Sequence, residues 1–154
     1  MIKKILIHAI FILIVSCGFQ PILKNVELNN LLIKKINYLG KNELKYLIQS
    51  NLNLEEKPSS DGYILNLQIS ENTISAIKDS AGISTQEDYT ISISVNIQDH
   101  LLNNLISDTL SETKRLIITN NLGTDETTKM NERSKMIYNL SQKLKFKLMI
   151  LTKR

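Results

Sequence analysis

The sequence predicts an α+β domain: two helices over one face of a largely antiparallel four-stranded sheet, in the order β-α-β-β-β-α. Three observations carry this. Tyr89, Ile91, Ile93, Val95 and Ile97 alternate strictly with Thr90, Ser92, Ser94, Asn96 and Gln98, the period of a half-buried strand. Leu44, Leu47 and Ile48 recur at the i, i+3, i+4 spacing of a helix face. A long amphipathic stretch then closes the chain, with Met130, Ile137, Leu140, Leu144, Leu148 and Leu151 as its apolar stripe. Helices on one side of an antiparallel sheet make a two-layer arrangement.

Taken in order, the chain opens on Lys3 and Lys4, followed by an apolar run from Ile5 to Val15 and the small residue Ser16. This is the layout of an export signal. At about eleven residues the run is too short for a hydrocarbon layer that needs about twenty. Next stands Cys17, the only cysteine. An apolar Ile14 at minus three, Ser16 at minus one and Cys17 at plus one resemble a bacterial lipobox, although leucine is commoner where Ile14 stands. The resemblance implies cleavage after residue 16 and a covalent diacylglycerol, usually with N-acylation, on Cys17; no other cofactor is expected. More than one acyl chain gives stable anchoring. A plain secretory signal with a leftover thiol and an uncleaved apolar end are the alternatives; a lone cysteine in an oxidising compartment favours the lipid. Gly18 is not the aspartate that commonly retains lipoproteins in the inner membrane, so the expected location is the outer membrane.

Residues 17–30 read as a lipid-anchored tether and 31–154 as one domain. Losing Lys3 and Lys4 lowers the formal charge from +4 to +2. With no basic run, nucleic acid is not an expected partner. A strand is expected over Leu31–Leu39, ended by Gly40, and a helix from Asn42, with Glu43 in its first turn. The segment 58–62 is a loop. Tyr63, Leu65, Leu67 and Ile69 then alternate, but Ile74 and Ala76 take the opposite parity, which predicts a bulge near Ser70–Asn72. Asp79-Ser80-Ala81-Gly82 supplies a turn. A last strand is expected over about Ile106–Ile118, with Lys114 and Arg115 within it. Thr124 or Asp125 is the expected N-cap of the final helix. Lys143, Lys145, Lys147, Lys153 and Arg154 crowd its end; they fit a solvated basic face or a membrane-surface helix.

Catalytic chemistry is sparse. In the mature chain the one histidine is His100, beside Asp99, and no Gly-x-Ser-x-Gly turn or phosphate loop accompanies it. Metal-ligand clusters are missing from the sequence. The expectation is a protein that is not an enzyme.

Cys17-Gly18-Phe19-Gln20-Pro21 at a lipobox, followed by the β-α-β-β-β-α order and a long final helix, resembles the LPS-assembly lipoprotein family, LptE, and its alphaproteobacterial branch in particular. Ile22 and Leu23 stand where Leu-Tyr often follows in that branch. The resemblance implies a protein that plugs the outer-membrane β-barrel LptD and binds lipopolysaccharide. Basic residues in two regions of that family are associated with this ligand, which points to Lys78, Lys114 and Arg115 here. In an antiparallel meander these three are expected within roughly 10–15 Å of one another, a spacing that suits lipid A phosphates. Pairing of Lys78 with Asp79, and simple alternation of Lys114 and Arg115 across an exposed strand, is the alternative. A free-standing, periplasm-facing lipoprotein serving another envelope lipid-transport complex is the alternative function.

Overall fold

A computed structural model describes residues 31–58, 61–99 and 101–151. The export signal, Cys17, the tether, His100, Lys153 and Arg154 lie outside the described residues. The elements are β1 (Ile33–Leu39), α1 (Asn42–Leu52), β2 (Tyr63–Lys78), β3 (Ser84–Gln98), β4 (Asn104–Ile117) and α2 (Leu122–Leu151). The sheet runs β1-β2-β3-β4; β1 is parallel to β2, and the other two pairs are antiparallel. The expected α+β fold and element order are present.

The apolar residues of β1 do not alternate, because Ile33 and Ile36 are both buried. The register explains it: Ile33 pairs with Tyr63 but Lys35 with Ile64, so β1 carries one extra residue and Ile36 returns to the core. Gly40 then turns the chain into α1 at φ +133°, and a Cβ there would stand 2.3 Å from the Ile69 carbonyl oxygen. Both the dihedral and the contact demand glycine. Gly40→Ala is expected to destabilise the domain by about 2–3 kcal/mol, read as a lower urea midpoint with an unchanged slope.

Helix α1 buries Leu44, Ile48 and Leu52, and ends where Asn53, in the left-handed region, donates its N–H to the Gln49 carbonyl at 2.9 Å. Both long hairpins close on an aspartate. Asp79 Oδ1 accepts the N–H groups of Ala81 and Ile83, each at 2.9 Å. Asp99 Oδ1 accepts those of Leu101 and Asn103 at 2.9 and 2.8 Å. The Asp99 carboxylate is therefore occupied in shaping its own turn.

The bulge expected near Ser70–Asn72 is absent. β2 and β3 stay in register from Ile64 to Ser75, and the irregularities come later, between Ser75 and Lys78. Glu71 and Thr73 consequently continue the inward row of Leu65, Leu67 and Ile69, while Ile74 faces out, 61% exposed. The cap of α2 also differs from expectation. The Asn121 side chain accepts the Thr124 N–H at 3.2 Å, so Asn121 is the N-cap; Asp125 reaches back to the N–H and hydroxyl of Thr119. Met136 joins the buried stripe of Ile137, Leu140, Leu144 and Leu148, whereas Met130 is half exposed. Lys143 and Lys147 lie not on a free basic face but against β4, paired with Glu112 and Asp108. No helix among the described residues is long and apolar enough to cross a membrane.

Candidate functional site

Both helices cover one face of the sheet, where Tyr89, Ile91, Ile93 and Ile97 are fully buried. Among the described residues no helix lies over the opposite face. There, Asn66, Gln68, Ser70 and Asn72 of β2 face outward. So do Thr90 to Gln98 at alternate positions of β3, and Ser107, Thr109, Ser111 and Thr113 of β4. Every one is a hydroxyl or an amide, and none is charged. Neighbouring strands tie these side chains together: Thr90 to Thr113 at 2.8 Å, Ser94 to Thr109 at 3.1 Å and Asn37 to Asn66 at 2.7 Å. Cross-strand pairs of this kind steady the register and leave spare donors and acceptors pointing outward.

At one pole the polar face gives way to an apolar patch. The register aligns Ile74, Asp88 and Arg115 in one row and Ile77, Gln86 and Ile117 in the next. Ile74, Ile77 and Ile117 are all exposed. Arg115 grips Asp88 with two nitrogens, at 2.8 and 2.9 Å. That hydrogen-bonded pairing holds Asp88 below the usual carboxylate range and raises the Arg115 guanidinium.

The three cations expected to cluster are spread more widely. Lys78 aligns with Ser84, while Arg115 aligns with Asp88 four residues along β3. Two inter-strand steps and that offset separate their Cα atoms by about 16 Å, and Lys114 lies about 19 Å from Lys78. Lys114 is paired with the inward Tyr89 and so takes the helix side, where its charge helps the Lys135 hydrogen bond hold Glu132 low. Arg115 takes the open side. The short-range triad is not formed, because adjacent residues of one strand point to opposite faces.

A second constellation joins the layers. Glu71 is 10% exposed at its side chain and receives Lys41 Nζ at 2.8 Å, Arg133 Nε at 3.1 Å and the Tyr89 hydroxyl. Arg133 Nε also lies 3.0 Å from the Tyr89 oxygen, and its Nη1 reaches Glu43 at 3.3 Å. Lys129 sits over the Tyr89 ring, 5.1 Å from its centre. Burial alone would raise the Glu71 carboxyl, but the Lys41 and Tyr89 hydrogen bonds and the Arg133 charge overcome it and hold the group at about 2. Burial and the bond to Glu71 push the Tyr89 hydroxyl up to about 12. These contacts join β2 and β3 to α2 and to the start of α1, so the cluster clamps sheet to helices. Sequence reasoning passed over it, although carrying the Leu65–Ile69 parity forward puts Glu71 inside. Arg133 likewise lies four residues before the buried Ile137.

The domain thus has one helix-covered sheet face and one open face lined mainly by hydroxyls and amides. Its fold is shared by solved lipoproteins of Gram-negative bacteria. Rare lipoprotein B of Shewanella oneidensis superposes with a TM-score of 0.59 at 10% identity, over 77% of this chain and 96% of the other. A minor lipoprotein of Acinetobacter baumannii gives 0.55 at 15%, over 75% and 91%. An uncharacterized lipoprotein B of Nitrosomonas europaea gives 0.57 at 9%, over 79% and 85%. At these identities the likeness is one of fold. No protein-family model matches the chain, and no curated protein does.

Proposed function

We propose that this protein is a lipid-anchored outer-membrane lipoprotein of the LptE type, a non-enzymatic partner of the LptD barrel that binds lipopolysaccharide during its passage to the cell surface. The observation that carries the reading is the uncharged hydroxyl and amide face on a fold shared with Gram-negative lipoproteins. A barrel lumen is polar and wet, and a neutral face rich in donors and acceptors meets such a wall without burying an unpaired charge. The Cys17 lipobox supports attachment to the membrane. For lipopolysaccharide, the contact is proposed at the pole where exposed Ile74, Ile77 and Ile117 lie in the row of Arg115 and the next, with the Lys78 Cα about 16 Å from that of Arg115: apolar surface for acyl chains and cations for phosphates. Lys114, on the helix side, is the weakest of the three candidates.

Affinity capture of the lipidated chain from detergent-solubilised envelopes tests the reading. A stoichiometric large β-barrel is the expected companion, and capture without any barrel would leave the free-standing envelope lipoprotein as the better account. Cys17→Ser should abolish palmitate labelling and move the chain out of the outer-membrane fraction. Labelling that persists in this variant would remove the anchor. Lys78→Glu/Arg115→Glu should weaken binding of purified lipopolysaccharide while circular dichroism stays unchanged.

A further inference from the structure

The outer edge of β1 is covered along only part of its length. The Lys57 N–H donates to the Ile33 carbonyl, and the Ile36 N–H donates to Glu56 Oε1, both at 2.7 Å. Beyond Ile36 the cover stops. Backbone groups of alternate residues point to the same edge of a strand, so Tyr38 turns its N–H and C=O the same way as Ile36. Among the described residues nothing pairs with either group. An open edge is a template for a further strand. This one is short, about 10 Å from Ile36 to the end of β1 at Leu39.

A groove lies beside it. Ile36 and Tyr38 turn their side chains to the helix side, where Ile36 is buried and Tyr38 packs against the core. Asn42, Lys45, Tyr46 and Gln49 recur at i, i+3, i+4 and i+7, one stripe of α1. Together they line a groove of about 520 Å³. The Tyr46 side of it is open, for that residue is 71% exposed. Among the described residues no carboxylate lines the groove, and Lys45 makes no ion pair. Glu56 stands at the Ile36 end, already engaged with the Ile36 N–H. From Gly40, α1 carries the chain back to Lys57 beside Ile33. Lys45 therefore lies toward the Leu39 end, away from Glu56.

These features define what fits. A residue of an extended segment, set antiparallel and opposite Tyr38, donates its N–H to the Tyr38 carbonyl and accepts the Tyr38 N–H. Its side chain falls on the face that Tyr38 uses, into the groove beside Lys45 and the Tyr46 ring. Its two neighbours point to the open face, beside Asn37 and Leu39. Lys45 is the one charge in the lining, so the residue opposite Tyr38 is an acid. The sole acid of the tether, Glu27, stands four residues before Leu31 and reaches about 14 Å from it. Tyr38 lies about 20 Å along β1 from Leu31, so the segment comes from another protein.

We infer that the β1 edge and the α1 stripe form a docking groove for an extended, acid-bearing segment of a partner protein, which adds antiparallel to β1 with its acid opposite Tyr38 and paired with Lys45. Backbone pairing holds the segment and the groove selects its side chain. One copy of the chain forms the whole groove, so the inference is compatible with a single copy held in a barrel and does not depend on it.

The test uses the full-length chain in detergent and a fluorophore-labelled probe of this pattern, the capped pentapeptide Thr-Val-Glu-Val-Thr, whose β-branched residues favour the extended form. Its anisotropy should rise and saturate, and hydrogen exchange at the Tyr38 amide should slow when the peptide is bound. Lysine in place of the glutamate should weaken binding about tenfold or more, and so should methylating the glutamate nitrogen, which removes the N–H given to Tyr38. Lys45→Glu should reverse the first preference and favour the lysine peptide, with circular dichroism unchanged. Equal affinity for the glutamate and lysine peptides, no reversal in Lys45→Glu, no loss on N-methylation, unchanged exchange at Tyr38, or binding of chitotetraose in place of the peptide would each overturn the inference.

Discussion

Ile93→Asp is expected to unfold most of the domain or cost it about 5 kcal/mol. Ile93 is fully buried at the middle of β3, between Ile69 of β2 and Leu110 of β4. The substitution forfeits about 2–3 kcal/mol of apolar burial and sets a carboxylate where no described cation reaches it. It must then either stay neutral far above its ordinary range or force the strand outward. A domain this size holds about 5–15 kcal/mol in total. Thr90→Asp and Ser92→Asp, three and one residues away on the open face, are expected to shift stability by about 1 kcal/mol or less. Urea titrations should rank the three with Ile93→Asp far below the others. The open-face variants also separate folding from docking: a charge in a neutral face that meets a barrel wall should reduce barrel capture without lowering the urea midpoint.

That contrast was legible in the sequence because the period of two over Tyr89–Gln98 is unbroken, and a single strand's parity suffices to sort inside from outside. The first helix was legible for the same local reason. Where the reading failed, the deciding partner lies far along the chain. Ile74 and Ala76 look like a resumed apolar row, so a phase change is the economical expectation. What keeps β2 in phase is Glu71, a carboxylate tolerated inside because Arg133, 62 residues later, and Lys41, 30 residues earlier, meet it there. Periodicity weighs residues one at a time and has no view of such a partner. The cation triad failed for a topological reason. Lys114 and Arg115 are sequence neighbours, and in a strand that assigns them to opposite faces. Met130 drops out of the apolar stripe because α2 begins at Leu122, and its first turns precede the part that lies on the sheet core. The candidate face itself was visible on β3; that β2 extends it to Asn72 and β4 to Thr113 without a charge emerged only once their registers were known.

Arg133→Met carries the second large effect. Arg133 and Glu71 have side chains 12% and 10% exposed, so removing the guanidinium leaves a nearly buried carboxylate with the exposed Lys41 as its remaining cation. Breaking one partner of a buried pair costs about 3–5 kcal/mol; Lys41 and the Tyr89 hydroxyl persist, so about 2–4 kcal/mol is expected here. Replacing both partners, as Glu71→Leu/Arg133→Met, should recover most of the loss, since an apolar pair has no unmet charge. The pH dependence identifies the cause. Glu71 is held at about 2 when folded against an ordinary 4.5. Its contribution, at most about 3 kcal/mol, is therefore fully present above about pH 4.5 and lost as acid titrates the folded carboxyl toward pH 2. In Arg133→Met the carboxyl moves up, and the same group should contribute little to the slope of stability between pH 5 and 3. In the double variant it should contribute none. Urea midpoints measured from pH 7 to pH 3 for the three proteins decide it. A wild-type acid limb no steeper than that of Glu71→Leu/Arg133→Met would mean that this cluster does not clamp the sheet to its helices.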